Sequence, residues 1–308
     1  MDIQETQNLV AVTGAFSYTG RYIAHRLLDL GYPVVTLTNH TERAYLFEGQ
    51  IRAYPFHFDQ PQALVASLEG VSTLYNTYWV RFNRGQVSFD QAIANTRLLI
   101  QAALSAGVQR IVHISVTNPP PNSPFPYFQG KYILEQAVLD SGLSYAIIRP
   151  TLVYAPEDIL VNNIAYLLRR LPVFAIPGDG AYRLQPIYAG DVAEIAVQAG
   201  QAAENLTWDA AGPEIFTFEA FLRLIAAGLG RQVGFIHLPP GLAYLTSRAL
   251  GLSLNDVLIT RHEIDGLMAE LLVSHELPRG RTLFGDWLED NASRLGQRYT
   301  SELERHFG

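Results

Sequence analysis

The sequence predicts an α/β protein built on a doubly wound parallel sheet with a smaller mixed C-terminal lobe, and three observations carry that expectation. Short β-branched runs alternate with longer amphipathic stretches from residue 8 to about 150, the pattern of a parallel sheet covered by helices. A glycine follows each helical stretch, at Gly31, Gly70, Gly107 and Gly142, where a helix C-terminus favours a residue that tolerates positive φ. The turn Thr13-Gly14-Ala15-Phe16-Ser17-Tyr18-Thr19-Gly20 joins the first run to the first helix, the place where such sheets bind phosphate.

Taken in order, the strand runs are Leu9-Val10-Ala11-Val12, Val34-Val35-Thr36-Leu37, residues 51–58, residues 74–78, Ile111-Val112-His113-Ile114 and Tyr145-Ala146-Ile147-Ile148. Their spacing leaves room for a right-handed crossover helix between neighbours. Helices are expected over 20–30, 61–69, 86–106 and 127–141. Past 150 the rhythm loosens into Pro- and Gly-rich pieces at 172–180 and 211–213, a strand followed by a helix over 233–247, and helices near 190–200, 217–229 and 255–271. The expected division is a dinucleotide-binding core over 1–155 and a substrate lobe over 156–308, with residues near 183–212 returning to the core. No linker separates them, so a shared cleft is expected.

With 308 residues, 48% hydrophobic and 17% charged, the chain has the composition of a folded globular protein. A net charge of -7 without a basic cluster argues against nucleic acid, whose backbone needs concentrated Lys and Arg. The absence of Cys removes disulfides, thiolate nucleophiles and cysteine metal sites. The eight His show no metal-binding spacing, so no metal is expected, and no Gly-x-Ser-x-Gly elbow points to hydrolysis. The polar, acidic start of the chain reads as no signal peptide, and no apolar run reaches bilayer length; the expected compartment is the cytoplasm.

In the glycine turn, Gly14 lets the chain reverse, Gly20 permits close helix-to-strand packing, and Ser17 stands where the middle glycine of the dinucleotide fingerprint lies. Phe16, Tyr18 and Thr19 complete the phosphate-facing turn. Asp59 either meets the adenine from the end of the third strand or caps the helix before Pro61. The fourth strand ends in Asn76-Thr77-Tyr78, polar groups at the carboxyl edge where ligands sit. After the second strand comes Thr38-Asn39-His40-Thr41-Glu42-Arg43, with no acid placed to hold a ribose hydroxyl pair. That favours NADP over NAD, with Asn39 beside the ribose and Arg43 or His40 either meeting a 2′-phosphate or standing in solvent.

Of 22 basic residues one is Lys, and it is Lys131, four residues after Tyr127. On a helix the two share a face, and an ammonium beside a phenol favours the phenolate. Ser115, after the fifth strand, is placed to bond a reacting carbonyl or to cap local backbone, with Thr117 as its substitute. The five-proline loop over 118–126 lies between Ser115 and Tyr127. Tyr78, Trp79, Phe82, Tyr154 and the stretch Asn162-Asn163-Ile164-Ala165-Tyr166 read either as an aromatic-walled small-molecule pocket or as core. The apolar face of the helices over 240–272 either caps that pocket or forms a homodimer face.

Thr-Gly-x-x-Ser-x-x-Gly, Ser115, Tyr127-x-x-x-Lys131, Asn95 and Arg149-Pro150-Thr151-Leu152-Val153-Tyr154 together resemble the short-chain dehydrogenase/reductase superfamily, over about residues 8 to 230. The resemblance is closest to the NAD-dependent epimerase/dehydratase branch and the relatives of the complex I accessory subunit. It implies a Rossmann fold, with Tyr127 as general acid or base, Lys131 lowering the phenol pKa and holding the nicotinamide ribose, Ser115 positioning the substrate, and Pro150 beside the cofactor. Ala155 departs from the glycine usual after the Arg-Pro stretch, and Arg183 to Ala193 depart from the sugar-nucleotide pattern, which argues against a nucleotide sugar. Arg183 either meets an anionic substrate group or pairs with Asp191. The expected activity is NAD(P)-dependent oxidoreduction of a carbonyl or alcohol; the alternatives are an epimerase or dehydratase with a tightly held cofactor and a non-catalytic NAD(P)-sensing or assembly subunit.

Overall fold

A computed structural model describes residues 8–85 and 87–303; the polar start read at residues 1–7 and the helix start read at Gln86 lie outside them. Along the chain run β1 (Val10–Thr13), α1 (Tyr18–Asp29), β2 (Val34–Leu37), β3 (Arg52–Tyr54), α2 (Pro61–Ala66), β4 (Thr73–Asn76), α3 (Phe89–Ser105), β5 (Arg110–Ile114), α4 (Pro126–Leu139) and β6 (Ser144–Pro150). Then come β7 (Leu152–Tyr154), α5 (Ile159–Arg170), β8 (Val173–Pro177), β9 (Arg183–Leu184), β10 (Pro186–Tyr188), α6 (Ala189–Gln201) and β11 (Leu206–Ala210). The last elements are β12 (Phe216–Thr217), α7 (Phe218–Gly228), β13 (Gly234–Leu238), α8 (Pro240–Leu254), α9 (Arg261–Met268) and α10 (Phe284–Asn291).

The described residues up to Pro150, with Ala189–Ala210, form one compact unit. Its sheet has the order β11-β6-β5-β4-β1-β2-β3, and every pairing in it is parallel. β1, β2 and β5 are buried along their whole length, as strands covered on both faces must be. On one face Ala11, Leu37, Leu74, Ile111 and Ile147 pack with Leu64, Leu99 and Val138 of the covering helices. The chain leaves β1 towards β2 and β3, then crosses back to β4 on the other side. The ends of β1 and β4 therefore make the switch point at which open α/β sheets bind ligands.

The four glycines after helices all have φ between +76° and +84°. At Gly31 the reason is visible: Gly31 N donates to Leu28 O and Tyr32 N to Leu27 O, the paired bonds of a Schellman ending. The third strand is shorter than its apolar run, ending at Tyr54. Pro55 has no N–H for a ladder and His57 takes φ +46°, so the chain leaves the sheet. The helix expected over 255–271 forms only as α9, because Asn255 ends α8 in the left-handed region at φ +51°. Helix α6 and β11 bring the chain back to the first sheet, where β11 extends it beyond β6.

The second unit, Thr151–Tyr188 and Ala211–Gly308, is described by its residues up to 303. It holds three small pairings, β7 with β10 and β8 with β13 parallel and β9 with β12 antiparallel. Its core gathers around Tyr154, Phe221, Phe284 and Trp287. Among the described residues no helix is long and apolar enough to cross a membrane.

Candidate functional site

The site begins where β1 stops. Thr13 is followed by Gly14 at φ +66°, whose N–H donates to Leu37 O at 2.8 Å. Ala15 N donates to Thr36 Oγ1, which donates on to Val12 O. The turn is thus pinned to β2 on one side. On the other, α1 presses against it so closely that a Cβ on Gly20 would lie 2.3 Å from Gly14 O. Ser17 is the extended N-cap of α1, yet it makes no side-chain bond to the helix amides; its hydroxyl donates to Gly14 O at 2.7 Å. The serine in the middle-glycine place therefore closes the turn on itself and leaves the helix N-terminus to a ligand. A positive-φ turn, a cradle that any Cβ would fill and a 12-residue helix without a side-chain cap fit a pyrophosphate. Tyr18 and Thr19 stand half-buried in the first turn of that helix. Phe16 corrects the expectation for its side chain, which is 4% exposed and tilts against Phe47 in the interior.

At the switch point the side chains of Thr13, Asn76 and His113 form a strap with two backbone amides. Thr13 Oγ1 donates to Asn76 Oδ1 at 3.2 Å and accepts from Thr77 N and Tyr78 N. Asn76 Oδ1 also accepts from Tyr78 N, which orients the amide so that Nδ2 faces His113 Nδ1 at 3.0 Å. Asn76, expected to face the cofactor, is fully buried with both ends of its amide engaged; it ties strand ends rather than meeting a ligand. His113 lies beside it on β5, and burial, helped by Lys131, pushes its imidazole down to about 3. The ring is neutral, and with Nδ1 accepting from Asn76 its proton sits on Nε2.

Lys131, in the middle of α4, is 3% exposed. Its Nζ donates to Ile114 O at 2.8 Å, which fixes the ammonium at the carboxyl end of β5. Burial pushes it down to about 7, against an opposing pull from Glu135. Glu135 is buried in turn and takes two bonds from Arg149 of β6. Tyr127 stands half-buried one turn before Lys131, among Trp79, Phe89 and Phe128. On the segment after β5, Ser115 Oγ and Thr117 Oγ1 are buried without a hydrogen-bond partner among the described residues. Their own N–H groups donate to Ile148 O and Pro150 O, so the segment stays extended beside β6 and both hydroxyls project on the same side. Unpaired buried hydroxyls cost stability, and a substrate oxygen is the kind of partner that relieves the cost. Pro150 itself is buried at the end of β6.

The remaining expectations divide. Tyr78 packs with Phe56 and Phe58 and its hydroxyl accepts from Asn95 Nδ2. Asn39 is exposed after β2, and Glu42 lies 3.3 Å from His40 Nδ1 and 3.6 Å from Arg43 Nε, so both basic groups share one carboxylate. Asp59 neither ends β3 nor caps α2: it stands exposed in a turn and accepts from Gln60 Nε2, and Gln60 is the N-cap, without a side-chain bond to the helix amides. In the second unit Tyr154 has no exposure and donates to Thr282 O. Asn162 is spent on Arg298 O, Thr300 Oγ1 and Gly296 N. Arg183 makes a forked pair with Glu270, not Asp191. These three are corrected to structural roles, since their polar atoms hold chain segments together. Sequence reasoning placed Thr13 in the glycine turn without its tie to Asn76 and gave no role to His113, Gly130 or Glu135; the one available signal among these three was a histidine inside an otherwise apolar strand run.

The NAD dependent epimerase/dehydratase family matches residues 10–210. The mitochondrial NADH dehydrogenase (ubiquinone) 1 alpha subcomplex subunit 9 of Arabidopsis thaliana is 24% identical over 243 residues, 75% of this chain. The match spans 60% of the length of that relative. The photosystem II assembly factor Ycf39 of Cyanidium caldarium is 25% identical over 244 residues, covering 78% of this chain and 77% of that protein. Among solved structures, an NADPH-dependent quinone oxidoreductase of Escherichia coli complexed with NADPH aligns with a TM-score of 0.73 at 22% identity, over 93% of this chain and 99% of the other. A Citrobacter triphenylmethane reductase complexed with NADP(H) aligns at 0.75 with 18% identity, over 92% and 99%. Likenesses at this identity carry the fold.

Proposed function

The chain belongs to the NAD dependent epimerase/dehydratase family, and from that premise we propose that it is an NAD(P)-dependent oxidoreductase acting on a carbonyl or alcohol, with Tyr127 moving the proton. The observation that carries the reading is the chain's one lysine, buried one turn after Tyr127 with its ammonium on the end of β5. A bound nicotinamide supplies or accepts the hydride. Gly14, Gly20 and the α1 N-terminus would hold the pyrophosphate, and Lys131 would hold the ribose on the nicotinamide side. Tyr127 Oη gives its proton to the substrate oxygen or takes it back, the neighbouring ammonium easing loss of that proton. Ser115 Oγ, with Thr117 beside it, bonds the same oxygen and sets its orientation. NADP is the preferred dinucleotide on this reading, with Arg43 turning from Glu42 to a 2′-phosphate.

The names of the relatives support a second reading, a dinucleotide-binding subunit or assembly factor without turnover. Tyr127→Phe separates the two. After NADPH and NADH titrations identify the tighter dinucleotide, carbonyl compounds are screened with the wild type and the variant. The oxidoreductase reading expects dinucleotide affinity within about threefold of wild type and turnover at least 100-fold lower. Equal turnover in the two proteins would sink the assigned role of Tyr127.

A further inference from the structure

One aromatic ring touches both members of the Tyr127 and Lys131 pair. Trp79, three residues past the end of β4, has its ring centroid 5.0 Å from Lys131 Nζ. It meets the Tyr127 ring edge-on at 6.0 Å and 81°. Phe89, at the start of α3, stacks against the indole at 5.6 Å and 21°, so the ring is clamped between two helices. The fit depends on Gly130, the residue before Lys131: a Cβ there would lie 2.5 Å from Trp79 Cη2 and 3.0 Å from Cζ2. Only glycine leaves a notch of that depth in α4.

The chemistry of the contact follows from burial. An ammonium has three donors, and Ile114 O takes one from Lys131. A cation shielded from water gains from a π face within about 6 Å, and an indole offers the strongest such face. Trp79 Nε1 is buried without a hydrogen-bond partner among the described residues, so no bond of the indole N–H accounts for a tryptophan here. The contacts that remain to the indole are those of its ring with Lys131, Tyr127 and Phe89.

We propose that Trp79 is the positioning residue of the Tyr127 and Lys131 pair, its face holding the buried ammonium, its near-perpendicular contact orienting the phenol ring, and Gly130 providing the notch that admits it. This rests on reading that pair as the proton-handling site. The groups around Lys131 are the neutral His113 of β5, Tyr127 and Glu135 of α4, Arg149 of β6 through its bonds to Glu135, and Trp79 itself. The imidazole titrates near 3, well below the window in which Lys131 is followed.

The test uses the one lysine. The full chain labelled with ¹³C-lysine gives a single lysine side-chain signal, followed by NMR against pH without any ligand. The wild type is expected to show Hε protons displaced upfield by the indole ring current and a titration centred near pH 7. Trp79→Leu should remove the upfield displacement and lower the midpoint by about one pH unit, a tenfold loss of proton affinity. Trp79→Phe should retain most of both, and Gly130→Ala, which expels the ring, should behave like Trp79→Leu. A wild-type signal without upfield displacement, or a midpoint unmoved in Trp79→Leu and Gly130→Ala, overturns the proposal. NADPH and NADH are then added to the same wild-type sample. Displaced lysine protons in a chain that binds neither would remove the dinucleotide reading and leave the indole contact standing.

Discussion

Lys131 is held where it costs stability. Its ammonium is pushed from 10.5 down to about 7 by burial, so between those values the unfolded chain carries a proton that the folded chain lacks. Stability therefore rises with pH across that window, and the burial cost is fully present below about 7. His113 has the same sign at lower pH: the unfolded imidazole takes a proton as pH falls below 6.5, while the folded one resists to about 3. A tenfold change in proton affinity is worth about 1.4 kcal/mol, so burying the lysine costs on the order of a few kcal/mol. Lys131→Met keeps the length of the side chain and removes the charge. It is expected to raise stability at pH 7 by about 1 to 3 kcal/mol and to flatten the rise between pH 7 and 10. Urea unfolding at pH 6, 8 and 10 reads both effects. An unchanged slope in the variant would mean that the wild-type lysine keeps its ordinary affinity for the proton. On the proposed reading, what the cost of burial supports is the handling of a proton beside Tyr127.

At the scale of elements, the strap of Thr13, Asn76 and His113 joins the ends of β1, β4 and β5. It links the residue before the glycine turn to the strand that presents Ile114 O to Lys131. Asn76→Leu is nearly isosteric but leaves Thr13 Oγ1 and Tyr78 N each short of a partner and His113 Nδ1 with none. Buried groups left unpaired cost about 1 to 3 kcal/mol each, so a loss of about 3 kcal/mol in urea unfolding is expected, with weaker dinucleotide binding. A loss below about 1 kcal/mol would show that the strap is dispensable. Six of the seven strands of the first sheet were legible because β-branched runs with helix, glycine and strand in repeat leave few other arrangements. The strap was not. A sequence shows that Asn76 ends a strand, but one residue of phase decides whether a side chain faces the ligand or the interior. Phe16 failed because it lies in the turn after β1, where the local backbone bend rather than any sequence period sets the direction of the side chain. Asn162 and Arg183 failed for another reason: their partners, Thr300 and Glu270, lie far along the chain, and no local pattern announces a tertiary bond. The glycine turn and the Tyr127 and Lys131 spacing were legible because both are local, set by one turn and one helix.

For the molecule as a whole, binding and stability are one equilibrium. A dinucleotide that engages the folded chain alone stabilises it by about 2.7 kcal/mol at 100 times its dissociation constant, a hundredfold drop in the open population. The gain should appear first where the ligand's supports lie, in the backbone amides of β1 and β4 that meet at the switch point. Hydrogen exchange of those amides is therefore expected to slow by up to about a hundredfold with NADPH or NADH, provided that they exchange through opening of the bound region. Gly20→Ala supplies the control. Its new methyl meets Gly14 O at 2.3 Å, and because both atoms belong to the turn and its helix, relief must come from moving α1 off the phosphate site. Overpacking against backbone costs about 1 to 3 kcal/mol, small enough for the folded chain to persist, so the variant should exchange faster than the wild type without ligand and show no slowing when ligand is added. Slowing that survives in Gly20→Ala would place the dinucleotide away from the turn. If millimolar NADPH and NADH both leave the wild-type amides unchanged, the chain has kept the family's fold without its cofactor.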